Sequence, residues 1–220
     1  VQRSALQTWE SAEITRSQVE ATLTPRERLA LSQRTLTRYL SPPEATPYPL
    51  EYAFHVLGDV RGRRVVDFGC GSGANSVLLA RRGASVVGID ISISLLQIGQ
   101  ERLAANGVAG EANFVVGSAH DLPLAAGSVD VVFGIAILHH LDLEMVAREV
   151  HRVLKPGGRA IFQEPVRNSR VLRWLRRLIP YRAPDISPFE RPLTDRELRT
   201  FAGRFSSVRA RPFTLPLVKL

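Results

Sequence analysis

The segment Val65-Val66-Asp67-Phe68-Gly69-Cys70-Gly71-Ser72-Gly73-Ala74 places a carboxylate and then three alternate glycines after an apolar run. Glycine admits positive φ and lets backbone N–H groups approach a ligand with no Cβ between them, here just ahead of a helix whose dipole presents its positive end. Such a loop holds a small charged molecule, and Gly69-x-Gly71-x-x-Ala74 also satisfies the dinucleotide fingerprint. A second carboxylate, Asp90, ends the run Val86-Val87-Gly88-Ile89, where it can accept both hydroxyls of a ribose in either kind of nucleotide site. Asp67 separates the two readings. Directly beneath the loop, its charge repels a pyrophosphate and favours an ammonium group.

These residues need a scaffold that delivers them to one edge. Short apolar runs at Arg64 to Phe68, Ser85 to Asp90, Ala112 to Val116, Val129 to Gly134 and Arg159 to Gln163 predict strands. Helical patterns fall between them at Gly73 to Arg82, Ser92 to Asn106 and Leu143 to Leu154. The runs are continuously apolar rather than alternating, as in a parallel sheet covered on both faces. The pattern predicts a doubly wound α/β fold whose ligand site lies at the carboxyl ends of the strands. Residues 1–57 read as a helical preface or lid, with Thr24 as the N-cap of a helix beginning Pro25-Arg26-Glu27. Residues 58–220 read as the ligand-binding domain, with 165–193 inserted as a helical cap. Thr194 to Phe201 predicts a further capped helix and Ser207 to Leu215 a sixth strand.

Asp67-x-Gly69-x-Gly71-x-Gly73 resembles motif I of the class I S-adenosylmethionine-dependent methyltransferases. The similarity continues in order through Gly88-Ile89-Asp90, Asp121-Leu122-Pro123, Gly127-Ser128-Val129-Asp130-Val131-Val132 and Arg148-Glu149-Val150-His151-Arg152-Val153-Leu154-Lys155-Pro156-Gly157-Gly158. It resembles the branch that holds the ubiquinone-biosynthesis methyltransferases. The resemblance implies S-adenosylmethionine as cofactor, S-adenosylhomocysteine as product and a small-molecule acceptor of the methyl group. It also implies that Asp67, Gly69, Cys70, Gly71 and Gly73 form the methionine end, Asp90 the ribose contact, Ile91 and Ala119 the adenine walls, and Ile135 the edge of the site. The family often has Asp where this chain has Ser118, to accept the adenine amino group, so that contact passes to Ser118, His120 or Asp121. Family sheets normally have seven strands, so the natural chain is expected to continue beyond Leu220 into a seventh.

His139 and His140 follow the fourth predicted strand. A histidine there could take a proton from an acceptor near neutral pH, and loop packing is its competing role. Tyr48, Tyr52, Glu164 and Trp174 are candidates for the acceptor pocket. Lys155-Pro156-Gly157-Gly158 reads as a helix end, a turn and the start of a strand, with no chemistry.

Composition limits the alternatives. One cysteine excludes an internal disulfide, no metal-ligand spacing is present, and no apolar run is long enough for a spanning helix. A cytoplasmic protein is expected. Residues 1–150 hold 13 Lys+Arg against 16 Asp+Glu, whereas residues 151–220 hold 16 against 5. Much of that basic excess lies in 167–182, where Arg170, Arg173, Arg176 and Arg177 border the apolar stripe of Val171, Leu172, Trp174, Leu175, Leu178 and Ile179. This amphipathic helix suits a cap, a phosphate or carboxylate clamp, or peripheral contact with an anionic membrane. An RNA methyltransferase, a SAM-binding regulatory module without turnover and an NAD-dependent dehydrogenase remain alternatives, and no recognisable RNA-binding module favours the first.

Overall fold

A computed structural model of the chain describes residues 2–166 and 193–213. The apolar runs form five parallel strands: β1 (Arg64–Phe68), β2 (Ser85–Asp90), β3 (Ala112–Val116), β4 (Val129–Ile135) and β5 (Leu154–Gln163). Their order is β3-β2-β1-β4-β5. Seven helices accompany them among the described residues: α1 (Gln2–Leu23), α2 (Gln33–Leu40), α3 (Pro49–Leu57), α4 (Ala74–Arg81), α5 (Ile93–Ala105), α6 (Leu143–Val153) and α7 (Asp195–Ala202). The strand order reverses beside β1. The chain turns from β1 toward β2 and later returns to place β4 on the other side, which opens a crevice at the carboxyl ends of β1 and β4.

Successive side chains of β1 serve opposite layers. Val65 joins Phe54 and Leu57 of α3, Val77 of α4 and Phe133 in one buried cluster. Val66 and Phe68 join Val146 and Val150 of α6 and Phe201 of α7 in the other. The sheet is thus covered on both faces, which is why its strands carry continuous apolar sequence. Phe54 and Leu57 are fully buried, so the last helix of the expected preface is built into the core of the sheet. α1 packs elsewhere. Ala21 at its end meets Leu95 and Ile98 of α5, with Leu29 between. Among the described residues no helix is long and apolar enough to cross a membrane.

Local geometry corrects three expectations. Thr24 does not cap a helix: its hydroxyl donates back to the Glu20 carbonyl at the end of α1, and only a 3-10 turn, Arg26–Arg28, follows. The turn expected at Pro156 and Gly157 lies inside β5 as an irregularity, since Val129 pairs with Leu154 while Val131 pairs with Arg159. The expected sixth strand is absent over 207–213, and the remainder of that segment lies outside the described residues. Pro212 cannot donate to a ladder, and Arg211 instead sits over the Tyr52 ring at 4.3 Å and donates to the Glu44 carbonyl at 3.0 Å. By contrast, Thr194 caps α7 as anticipated, in a reciprocal capping box with Glu197.

One close approach fixes β2 against its neighbours. A Cβ added to Gly88 would lie 2.4 Å from Phe114 of β3 and 3.0 Å from the Cys70 sulfur. The same ring fills the space beside Gly73 and Gly99, so those glycines form its socket.

Candidate active site

The crevice holds a cavity of about 290 Å³. Its floor comes from the loop after β1, through Gly69 and Gly71, and from the tip of β2, through Asp90 and Ile91. Ser118 and Ala119 form one side, Ala136, Ile137 and His140 another, and α1 closes the remaining side with Trp9, Glu10, Glu13 and Glu20. Gly69 has φ of +69°, and an added Cβ would lie 2.6 Å from Ile137, so only glycine fits where the two loops meet. Ala136 adopts φ of +54° without being glycine, and its N–H donates to the Gln163 carbonyl at 2.8 Å. This uncommon conformation for a residue with a Cβ turns the chain from β4 into the cavity wall.

Asp90 organises the floor. One carboxylate oxygen accepts the Gly71 N–H at 2.9 Å and the other accepts the Ser92 N–H at 2.9 Å. An ionised carboxylate has about four acceptor positions, so Asp90, which lines the cavity, retains acceptor capacity for a ribose hydroxyl. Burial raises the Asp90 pKa, backbone hydrogen bonds oppose that rise, and the charge of Glu13 adds to it. Gly69 and Cys70 both donate to the Ile89 carbonyl, at 2.9 and 3.1 Å. The N–H groups of residues 69 to 71 are therefore committed to β2 rather than offered to a pyrophosphate, the opposite of the dinucleotide arrangement.

Asp67 lies behind the loop and does not line the cavity. It is 1% exposed, and its carboxylate accepts the Ser76 hydroxyl at 2.6 Å. Burial pushes its pKa up to about 7, the Ser76 hydrogen bonds pull it down and the charge of Asp90 pushes it further up. Between about pH 4 and pH 7 the folded protein thus holds a proton that the unfolded chain has released. Stability should fall as pH rises through this window, by on the order of a few kcal/mol. Asp67→Asn, nearly isosteric, should flatten that part of the curve. Urea unfolding at pH 5 and pH 8 tests this, and a parent protein more stable at pH 8 by as much as the variant would contradict it.

Glu164 holds the loop after β4. One oxygen accepts the N–H groups of Ile137 and Leu138, both at 2.8 Å, and the other lies 2.8 Å from His139 Nδ1. The carboxylate is 4% exposed and anchors this loop. The His139 and His140 rings stand 4.1 Å apart, and His140 Nδ1 lies 3.9 Å from a Glu13 oxygen. Of the two, His140 lines the cavity.

Of the residues expected around the cofactor, Gly69, Gly71, Asp90, Ile91, Ser118 and Ala119 line the cavity. Asp67, Cys70 and Gly73 stand behind it as support, and Ala136 with Ile137 occupies the wall expected of Ile135. Tyr48 and Tyr52 are placed elsewhere. Tyr48 is 53% exposed beneath the Arg38 guanidinium, and Tyr52 stacks with His55 and Phe213. Trp174 and the amphipathic segment lie outside the described residues. Sequence reasoning assigned the preface to the acceptor but missed Trp9, Glu10 and Glu13 as walls of this cavity. Their signal was only three neighbouring side chains on a polar helix.

Known proteins bear on this site. Residues 66–162 match the family described as a methyltransferase domain. The chain is 37% identical over 105 residues to an O-methyltransferase of Aspergillus nomiae, covering 47% of each chain. It is 33% identical over 141 residues to a ubiquinone biosynthesis O-methyltransferase of Pseudomonas aeruginosa, covering 60% of each. The chain thus spans less than two thirds of either relative. A geranyl diphosphate methyltransferase, solved in complex with GPP and sinefungin, superposes with a TM-score of 0.55 at 26% identity, over 67% of this chain and 55% of that one. Residues 66–162 thus carry a methyltransferase domain similar to that of the ubiquinone-biosynthesis O-methyltransferases.

Proposed function

We propose that this chain binds S-adenosylmethionine in the cavity between the Gly69-Gly71 loop and α1, and transfers its methyl group to a hydroxyl of a small-molecule acceptor. The observation that carries this reading is the acidic floor: Asp90 lines the cavity as an acceptor while the N–H groups of Gly69, Cys70 and Gly71 are already spent. Asp90, Glu10 and Glu20, with Glu13 paired to Arg16, line a space that is acidic on balance, which favours a cationic ligand and disfavours a pyrophosphate. Asp90 would hold the ribose, Ile91 and Ala119 the base, and Gly69 and Gly71 the methionine end. When bound, the cofactor supplies a methyl group on a sulfonium, which needs placement more than protein chemistry.

The chain's own contribution to the reaction is to hold and move a proton. His140 lines the cavity and would accept the hydroxyl proton, and it stands 4.1 Å from the His139 ring, whose Nδ1 is directed at the Glu164 carboxylate. Glu164 sets both that ring and the Ile137-Leu138 backbone beside the cavity. His140→Gln should lower kcat by about 100-fold, within the usual range for a general base, while leaving S-adenosylhomocysteine affinity nearly unchanged. A variant that keeps the parent's kcat, or one that loses cofactor affinity and turnover equally, would remove His140 from the chemistry.

The names of the relatives favour oxygen as the atom methylated and a small molecule as acceptor. RNA is the competing acceptor, and the carboxylates around the cavity disfavour a polyanion there. Incubation with methyl-labelled cofactor tests both, against a panel of phenols and hydroxylated small molecules alongside bulk RNA. Label in an organic-soluble ether supports the reading, and label in RNA overturns it. The helix α1 is proposed as the lid.

A further inference from the structure

We infer that Glu10, on the N-terminal helix, is the residue that reads the base of the cofactor, accepting the exocyclic amino group of adenine. This rests on the reading of the cavity as the cofactor site. The Ser118 hydroxyl donates to Glu10 Oε1 at 2.6 Å, a contact that spans 108 positions of sequence and brings a carboxylate from α1 onto the loop after β3. That loop is fixed beside the ribose position, because the Gly117 N–H donates to the Asp90 carbonyl at 3.0 Å. From Asp90 the cavity therefore runs between Ile91 and Leu95 on one side and Ala119 on the other, with Glu10 and Ser118 also on its lining. Apolar walls with a carboxylate among them suit a flat heterocycle that has an N–H donor on its edge.

The surrounding bonds fix what Glu10 can do. His120 is buried, its Nε2 accepts the Asp142 N–H at 3.0 Å, and its Nδ1 lies 3.6 Å from Glu10 Oε1. With Nε2 accepting, the neutral ring carries its proton on Nδ1, toward Glu10 and Ser118. Burial lowers the His120 pKa, although Glu10 opposes that shift, so the neutral ring prevails near neutral pH. Trp9 packs edge-on against the same imidazole at 5.7 Å between centroids, which holds this turn of α1 in place. Ser118 and His120 thus engage Oε1, and the carboxylate retains acceptor capacity on Oε2. An ionised carboxylate only accepts, so it welcomes an amino group and repels the carbonyl of a 6-oxopurine.

Titration calorimetry with S-adenosylhomocysteine and with its deaminated counterpart, S-inosylhomocysteine, reads this directly. The parent should prefer the adenine compound by about 100-fold, the scale of losing one hydrogen bond to a charged group. Glu10→Gln should weaken S-adenosylhomocysteine by about 10-fold and bring the two ligands within a few-fold of each other, because the amide can donate to the oxo group. Ser118→Ala, which releases the carboxylate from its hydroxyl, should narrow the preference without erasing it. An undiminished preference in Glu10→Gln, with circular dichroism showing a folded variant, overturns the assignment of Glu10 alone. A parent that binds neither compound overturns the reading of the cavity itself.

Discussion

Asp90→Ala should weaken S-adenosylhomocysteine binding by about 3 kcal/mol, or about 150-fold, the largest loss expected from any single change in the cavity. Two losses combine. The variant forfeits the charge-assisted bonds to the ribose hydroxyls, and it also frees the Gly71 and Ser92 N–H groups that the carboxylate ties at 2.9 Å each. The Gly71 bond shapes the loop, so the methionine end should loosen together with the ribose end. Asp90→Asn separates the contributions: an amide can still accept at one oxygen, so the loss should be about tenfold. Calorimetry on the three proteins measures it, and equal affinities would place the ligand away from β2.

Gly88→Ala should cost about 3 kcal/mol of folding stability and lower Tm by roughly 6–12 °C, at the upper end of overpacking effects. The added Cβ would stand 2.4 to 2.5 Å from Phe114, and the ring has little room to retreat because Gly73 and Gly99 already form its socket. Phe114→Leu in the same background should recover part of the loss by thinning the ring's edge. A Tm unchanged by Gly88→Ala would show that Phe114 moves more freely than its packing implies.

The sheet was legible because its signal is local. Five continuous apolar runs became five parallel strands, within a residue or two except at Leu154, where β5 begins ahead of the turn-like Pro156 and Gly157. Asp90 was legible for the same reason, since a carboxylate ending an apolar run must emerge at a strand tip. Asp67 was legible as a residue but not as a role. The period-2 alternation of β1 turns it toward Ser76 and α4, into the layer behind the loop.

What escaped sequence reasoning depends on contacts between distant segments. Nothing in the polar run of α1 marks Glu10 as the partner of Ser118, because the pairing exists only once α1 lies across α5. Glu164 follows β5 and faces the cavity region in sequence terms, yet the free N–H groups of the turn after β4 claim it first. Thr24 carries a sound capping pattern, and the finished end of α1 takes its hydroxyl instead. Ser207 to Leu215 reads as a strand, but Pro212 cannot donate to a ladder and Arg211 lies over the Tyr52 ring.

The central claim is that the cavity between the glycine loop and α1 is an S-adenosylmethionine site. Parallel calorimetric titrations of the parent protein with S-adenosylhomocysteine and with NADH test it most directly. Saturable one-to-one binding of S-adenosylhomocysteine is expected, largely removed by Asp90→Ala, with no heat of binding from NADH. Saturable binding of NADH, with none of S-adenosylhomocysteine, would contradict it.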